Sequence, residues 1–210
     1  MIQVTEYEPL GGGKIRVCLD NGAQLVLYKG EAKQVQLEAD SCIPEESYRI
    51  LLEEIVAKRA KKRAMHLLEK MDRTKQQLRE KLSANYPPEC VEIALEYVSR
   101  FHYLDDYRYA CNYIYYRRER YSRRQLQMKL SAKGVESGLI AQALEEFYTA
   151  DEGEQIRRLL VKRRYTPGCD RQMYVKTYQY LLRKGFGSSE ILRTMRDFPP
   201  FCEGDSVFSQ

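Results

Sequence analysis

From Lys58 onward, apolar residues recur every three or four positions. Ala64, Leu67, Leu68 and Met71 form one set, followed by Leu78 and Leu82, then Val91, Leu95 and Val98. Tyr109, Ala110, Tyr113 and Ile114 obey the same rule, as do Leu126 and Leu130, then Ile140, Leu144 and Phe147. The spacing predicts short amphipathic helices joined at Pro87-Pro88, Gly134 and Gly185. Helices this short are unstable alone and must bury their stripes against neighbours. The first forty residues alternate instead. Ile15, Val17 and Leu19 alternate with Arg16 and Cys18, and Leu25 and Leu27 with Val26 and Tyr28, on either side of Asp20-Asn21-Gly22. Asn-Gly between alternating runs predicts a β-hairpin. Ile2, Val4, Val35 and Leu37 are candidates for further strand pairing. Two strands alone are marginal, so a helix starting near Pro44, with Ile50, Leu51, Ile55 and Val56 as its stripe, is expected to cover them.

The helical part repeats. Thr74–Ala84 aligns with Ser122–Ala132 at a shift of 48, matching Leu78 to Leu126, Leu82 to Leu130 and Ser83-Ala84 to Ser131-Ala132. Lys133-Gly134-Val135 aligns with Lys184-Gly185-Phe186 at a shift of 51, which carries Leu130, Ile140 and Phe147 onto Leu181, Ile191 and Phe198. Each copy offers a first helix, a second with a polar start, a turn and a third amphipathic helix. The expected fold is mainly α: three tandem three-helix repeats in an elongated curved array, with a small N-terminal β-hairpin-plus-helix appendage. The expected boundaries are 1–57 for the appendage, 58–104, 105–150 and 151–198 for the repeats, and 199–210 for a C-terminal tail.

Charge separates the same two parts. Residues 1–57 hold 5 Lys+Arg against 10 Asp+Glu, a balance of −5, while residues 58–210 hold 30 against 20, a balance of +10. A basic module suits phosphate or an acidic protein surface, although Lys and Arg also serve as ordinary exposed helix residues. No apolar run approaches the roughly 20 residues that span a bilayer, and the N-terminus lacks a basic-then-apolar leader, so a cytoplasmic location is expected. The six cysteines are scattered, with no C-x-x-C pair, and His66 and His102 are the two imidazoles. Free thiols, no metal site and no cofactor follow as expectations. Gly11-Gly12-Gly13-Lys14 is followed by Ile15, where a phosphate loop needs Ser or Thr, and reads as a turn. Asp105-Asp106 and Glu145-Glu146 are adjacent pairs that diverge by about 100° on a helix, poor geometry for shared catalytic work. A helix cap is the expected role of Asp105 or Asp106. No catalytic residue is assigned.

Three strings together resemble the RecX family of recombination regulators. Leu104-Asp105-Asp106 through Tyr109-Ala110 and Tyr113 is similar to the family pattern L-x-D-x-x-[FY]-A-x-x-[FY]. Ser122-Arg123-Arg124-Gln125-Leu126 with Leu130, Lys133, Gly134 and Val135 forms the second, and Leu181-Leu182-Arg183-Lys184-Gly185-Phe186 with Ile191 the third. The resemblance covers about 58 to 198, and the hairpin looks like an extension found in some longer members. It implies a non-enzymatic protein that binds the groove of a RecA-type recombinase filament on DNA and modulates, usually inhibits, strand exchange and filament persistence; a monomer is expected.

Three basic clusters are candidate contacts for that filament or for DNA. They supply Lys61, Lys62 and Arg63; Tyr116, Arg117, Arg118, Arg120, Tyr121, Arg123 and Arg124; and Arg157, Arg158, Lys162, Arg163 and Arg164. Arginine's planar fork pairs with carboxylate or phosphate, and interleaved tyrosines anchor interfaces or stack on bases. Tyr109 and Tyr113 match core positions. A general DNA-binding protein without a recombinase partner is the alternative function, and it predicts steep salt dependence.

Overall fold

The structure, a computed structural model, describes residues 1–199. The segment expected as a C-terminal tail lies, apart from Pro199, outside the described residues. The chain divides into two compact units, Met1–Asp106 and Tyr107 onward.

The first unit opens with strands β1 (Ile2–Leu10), β2 (Lys14–Leu19) and β3 (Gln24–Tyr28), then helix α1 (Lys29–Gln34) and a short strand β4 (Cys42–Ile43). They form an antiparallel sheet in the order β3-β2-β1-β4. The expected hairpin is therefore the β2–β3 part of a larger sheet. Gly12 and Gly13 take positive φ in the β1–β2 turn and Gly22 in the β2–β3 turn, conformations that glycine adopts at little cost. Ile2 and Val4 pair as expected, whereas Val35 and Leu37 lie outside the strands. Leu37 is instead buried beyond α1, its N–H donating to Ala32 O.

Helix α2 (Glu45–Ile50) starts after Pro44 and runs into a π-helical turn, Leu51–Val56, before α3 (Ala57–Lys70). The wider π-turn rotates the stripe: Leu51, Leu52 and Val56 are buried while Ile50 is exposed. Helices α4 (Lys75–Ser83) and α5 (Pro88–Arg100) complete the unit. One core joins sheet and helices, from Val4, Ile15, Val17, Leu25 and Leu27 to Ala57, Ala60, Ala64, Leu78, Leu82, Leu95 and Val98. α3 packs against α5, and its alanines are fully buried, where a small side chain permits close approach.

The second unit holds α6 (Asp106–Tyr115, whose first residue ends the first unit), α7 (Arg123–Ser131), α8 (Ser137–Phe147), α9 (Glu152–Lys162), α10 (Arg171–Arg183) and α11 (Ser188–Arg196). One core gathers Ala110, Ile114, Leu126, Leu130, Ile140 and Leu144; another gathers Ile156, Leu160, Tyr165, Leu181, Ile191 and Phe198. The second helix of each triplet is capped alike. The side chains of Thr74, Ser122 and Asp170 accept from the backbone N–H of Gln77, Gln125 and Met173, three residues on. α7 and α10 also end alike. Val135 N–H bonds Leu130 O and Phe186 N–H bonds Leu181 O, around Gly134 (φ 79°) and Gly185 (φ 83°), which is the Schellman arrangement. The first triplet turns without glycine, and Pro88 opens α5 at a position where the missing N–H costs nothing.

Candidate functional site

The three basic clusters differ in how much of their charge is already engaged. On α3, Lys58 pairs with Glu54 one turn earlier. Arg59 is largely buried. It donates to Glu31 Oε2 at 2.7 Å and to Val26 O, and its guanidinium lies 5.4 Å from the Tyr28 ring centre and 5.7 Å from that of Tyr86. Arg59 therefore ties α3 to the sheet. Lys61 sits 5.3 Å from the Tyr97 ring centre, while Lys62 and Arg63 are exposed. Lys14, Tyr28 and Tyr86 lie beside this cluster. Sequence reasoning had not included them, although the hairpin register alone sets Lys14 opposite Tyr28.

In the second cluster α6 ends at Tyr115, and Tyr116–Arg120 form successive turns closed by Arg118 N–H to Ile114 O and Tyr121 N–H to Arg117 O. Arg117 stacks over Tyr113 at 4.2 Å and Arg118 over Tyr115 at 4.5 Å. Arg118 also donates to Phe147 O, and Arg123 to Leu144 O and Glu145 Oε2. Arg118 thus serves the Phe147 carbonyl at the end of α8, and Arg123 is a second donor to Leu144 O, which also accepts from Tyr148 N–H. Arg117, Arg120 and Arg124 stay exposed, as does Tyr116 at 77%. Tyr121 is half-buried against the core, flanked by Arg120 and Lys129, and Tyr109 and Tyr113 stack on each other against the same core.

The third cluster adjoins the second. Gln155 Nε2 donates to Arg118 O at 2.6 Å and Arg158 pairs with Glu119 at 3.4 Å. Arg157 pairs with Glu154, Lys162 is exposed, and Arg163 stacks on Tyr180 at 4.5 Å. Arg164 is exposed with φ 52°, and Tyr165 after it is a core residue. Most of these pairs are solvent-exposed and contribute little to stability, so their arginines can exchange partners.

The acidic pairs serve the scaffold. Asp106 Oδ1 accepts from Lys75 N–H at 2.8 Å, and burial holds its carboxyl above the ordinary value. The expected cap is thus real, but it serves α4. Glu145 pairs with Arg123, and Glu146 accepts from the Tyr107 hydroxyl, a hydrogen bond that raises that phenol's pKa. The Cys90 thiol is buried and pushed up to about 11 by that burial, the reverse of an activated nucleophile. Among the described residues no helix is long and apolar enough to cross a membrane.

Three family models match in order: RecX first three-helix domain at residues 60–97, second at 105–144 and third at 150–195. A protein named Regulatory protein RecX from Caldanaerobacter subterraneus subsp. tengcongensis is 27% identical over 161 residues, covering 76% of this chain and 80% of that one. Its namesake from Clostridioides difficile is 22% identical over 209 residues, 98% of this chain and 99% of the other. A crystal structure of regulatory protein RecX superposes with a TM-score of 0.63 at 23% identity, covering 94% of this chain and all of that one. The structure of RecX from Lactobacillus salivarius gives 0.59 at 22% identity, over 67% of this chain and 95% of the other.

Proposed function

Because the chain belongs to the RecX family of regulatory proteins, we propose that it is a non-catalytic cytoplasmic monomer that docks on a RecA-type recombinase filament on DNA and hinders strand exchange and filament growth. The observation that carries this reading is the ordered set of three family domains along one chain. The exposed chemistry agrees with it. Arg117, Arg120, Arg124, Lys162 and Arg164 present exposed charge, and Tyr116 an exposed ring, side chains suited to acidic protein patches and to phosphate.

Strand exchange measured with added protein tests the reading. Slowed product formation at filament-saturating concentration is expected, and an unchanged rate overturns it. Retention on single-stranded DNA with and without recombinase separates filament docking from general DNA binding. The filament reading requires recombinase-dependent retention at salt concentrations that abolish retention on bare DNA.

A further inference from the structure

We propose that a cavity between the N-terminal sheet and α3 is a site for a phosphate group of single-stranded nucleic acid, with the adjoining base set against Tyr28. The cavity measures about 460 Å³, and its lining includes Lys14, Arg59, Lys62, Arg63, Tyr28 and Tyr86 but no carboxylate. Lys14 reaches it because strand register sets it opposite Tyr28, with Nζ 5.7 Å from that ring centre. Arg59, Lys62 and Arg63 reach it because residues three and four apart share one helix face.

The charge there is unbalanced. Glu31 offsets Arg59, and a second contact, from the backbone N–H of Tyr28, fixes its position. Lys14, Lys62 and Arg63 have no carboxylate within ion-pairing distance among the described residues. Like charges held around a small cavity destabilise the free protein, and a bound anion relieves that repulsion. The exposed acidic residues elsewhere on this unit, such as Glu45, Glu46 and Glu89, line a different cavity.

The convergent ammonium and guanidinium groups suit carboxylate and phosphate alike, and the feature that favours a nucleotide over an acidic peptide is aromatic. Tyr28 keeps 43% of its surface exposed beside them, and an aromatic face next to cations serves an unpaired base. A duplex holds its bases in its own stack, so the ligand is a single strand. The site gives the N-terminal sheet a binding role, and it stands independently of the recombinase reading because it needs DNA alone.

The test is fluorescence anisotropy of the full-length protein with a labelled oligothymidylate and no recombinase. Lys62→Glu with Arg63→Glu should weaken binding about tenfold or more, and Lys14→Gln should reduce the slope of log affinity against log salt by about 0.7. Arg100→Glu, an exposed α5 cation outside the cavity, should change affinity less than about twofold. Tyr28→Leu should erase the preference for oligothymidylate over an abasic strand of equal length. Should the double variant fail to fold, Lys14→Gln reads the same site. Wild-type affinity and slope in folded Lys14 and Lys62/Arg63 variants overturn the proposal. So does displacement of the oligonucleotide by polyglutamate at equal charge, if that displacement is lost with the same substitutions, because it assigns the cavity to an acidic protein.

Discussion

Glu152 Oε1 accepts a hydrogen bond from the backbone N–H of Arg123 at 2.9 Å, so the first residue of α9 caps the first residue of α7. The same relation holds one repeat earlier, between Asp106 at the start of α6 and Lys75 at the start of α4, at 2.8 Å. Each of these second helices therefore receives two acceptors. Its own Thr74 or Ser122 serves the third helical N–H, and a carboxylate from the next triplet serves the first. A negative group at a helix N-terminus also meets the positive end of the helix dipole. In the second unit the Glu152 cap links the second triplet to the third.

Glu152→Ala should lower unfolding free energy by about 1 kcal/mol through loss of this cap. Glu152→Gln keeps an acceptor and should recover part of it. For Asp106 the sign differs, because burial raises its carboxyl pKa in the folded protein. The folded state therefore binds the proton more tightly than the unfolded chain. Stability is gained as pH falls through the raised value and lost as pH rises through it. Asp106→Asn should be at least as stable as the native protein at neutral pH, with the gap closing on acidification. Thermal unfolding from pH 7 down to about pH 4 measures both effects, and a gap that widens on acidification contradicts the assignment.

Gly185 and Gly168 separate backbone conformation from packing. Both have positive φ, 83° and 87°. A Cβ at Gly168 meets open space, whereas at Gly185 it falls 2.8 Å from Ser122 Oγ and 3.3 Å from Arg124 Cβ. Ser122 also donates to Lys184 O at 2.7 Å, locking the third triplet's turn onto the start of α7. Gly168→Ala should cost about 1–2 kcal/mol, the left-handed penalty alone, and Gly185→Ala clearly more. Urea denaturation of the two variants checks the difference, and equal losses refute the packed turn.

How far the sequence reveals this architecture depends on the range of the interactions. Leu-Ser-Ala, Lys-Gly and the apolar spacing are local signals, and they locate the helices, the glycine turns and the triplets. The Asn21-Gly22 turn reveals β2 and β3 for the same reason. Strand β4 has two residues, and its partner Ile2 lies some forty residues away, so no periodicity marks it. The Asp106 cap was legible as a cap, yet its recipient 31 residues earlier was not. The basic clusters were visible as composition. Which arginines were already engaged was not, because the carbonyls of Leu144 and Phe147 that hold Arg123 and Arg118 belong to another helix.

Arg59 shows how much one such contact supports. Its guanidinium joins Glu31, the Val26 carbonyl and two tyrosine rings while three-quarters shielded from solvent. Arg59→Met leaves the stem's packing but takes the cation from the Glu31 carboxylate, which keeps the Tyr28 N–H, and should cost about 2 kcal/mol. Arg59→Lys cannot span both acceptors and should recover only part. Chemical denaturation provides the measurement, and a loss under about 0.5 kcal/mol, the range of ordinary surface substitutions, removes Arg59 from this role.

Within the second cluster, function and stability should divide by residue. Reversing the exposed Arg117, Arg120 and Arg124 to Glu should leave the unfolding midpoint nearly unchanged while weakening filament binding about tenfold or more, as lost interface arginines do. Reversing Arg118 and Arg123 should lower the midpoint as well, since α8 loses donors to Phe147 O and Leu144 O. Co-sedimentation with filaments beside thermal unfolding resolves the two sets. Full binding by the folded Arg117, Arg120 and Arg124 variant moves the interface elsewhere.

Arg164 combines both properties in one position. It occupies the left-handed conformation that ends α9, with its own N–H bonded to Val161 O and the next, Tyr165 N–H, to Leu160 O. Glycine is the residue suited to such a helix end, and a bulky side chain there costs about 1 kcal/mol or more. Nothing in the fold demands arginine, since its side chain is exposed while its neighbour Tyr165 fills the core. A backbone cost retained at an exposed cation points to use of the side chain. Arg164→Gly should therefore raise the unfolding midpoint and weaken filament binding together. Arg164→Lys should keep binding with no gain in stability. A glycine variant that is more stable and binds with full affinity denies Arg164 any place in the interface.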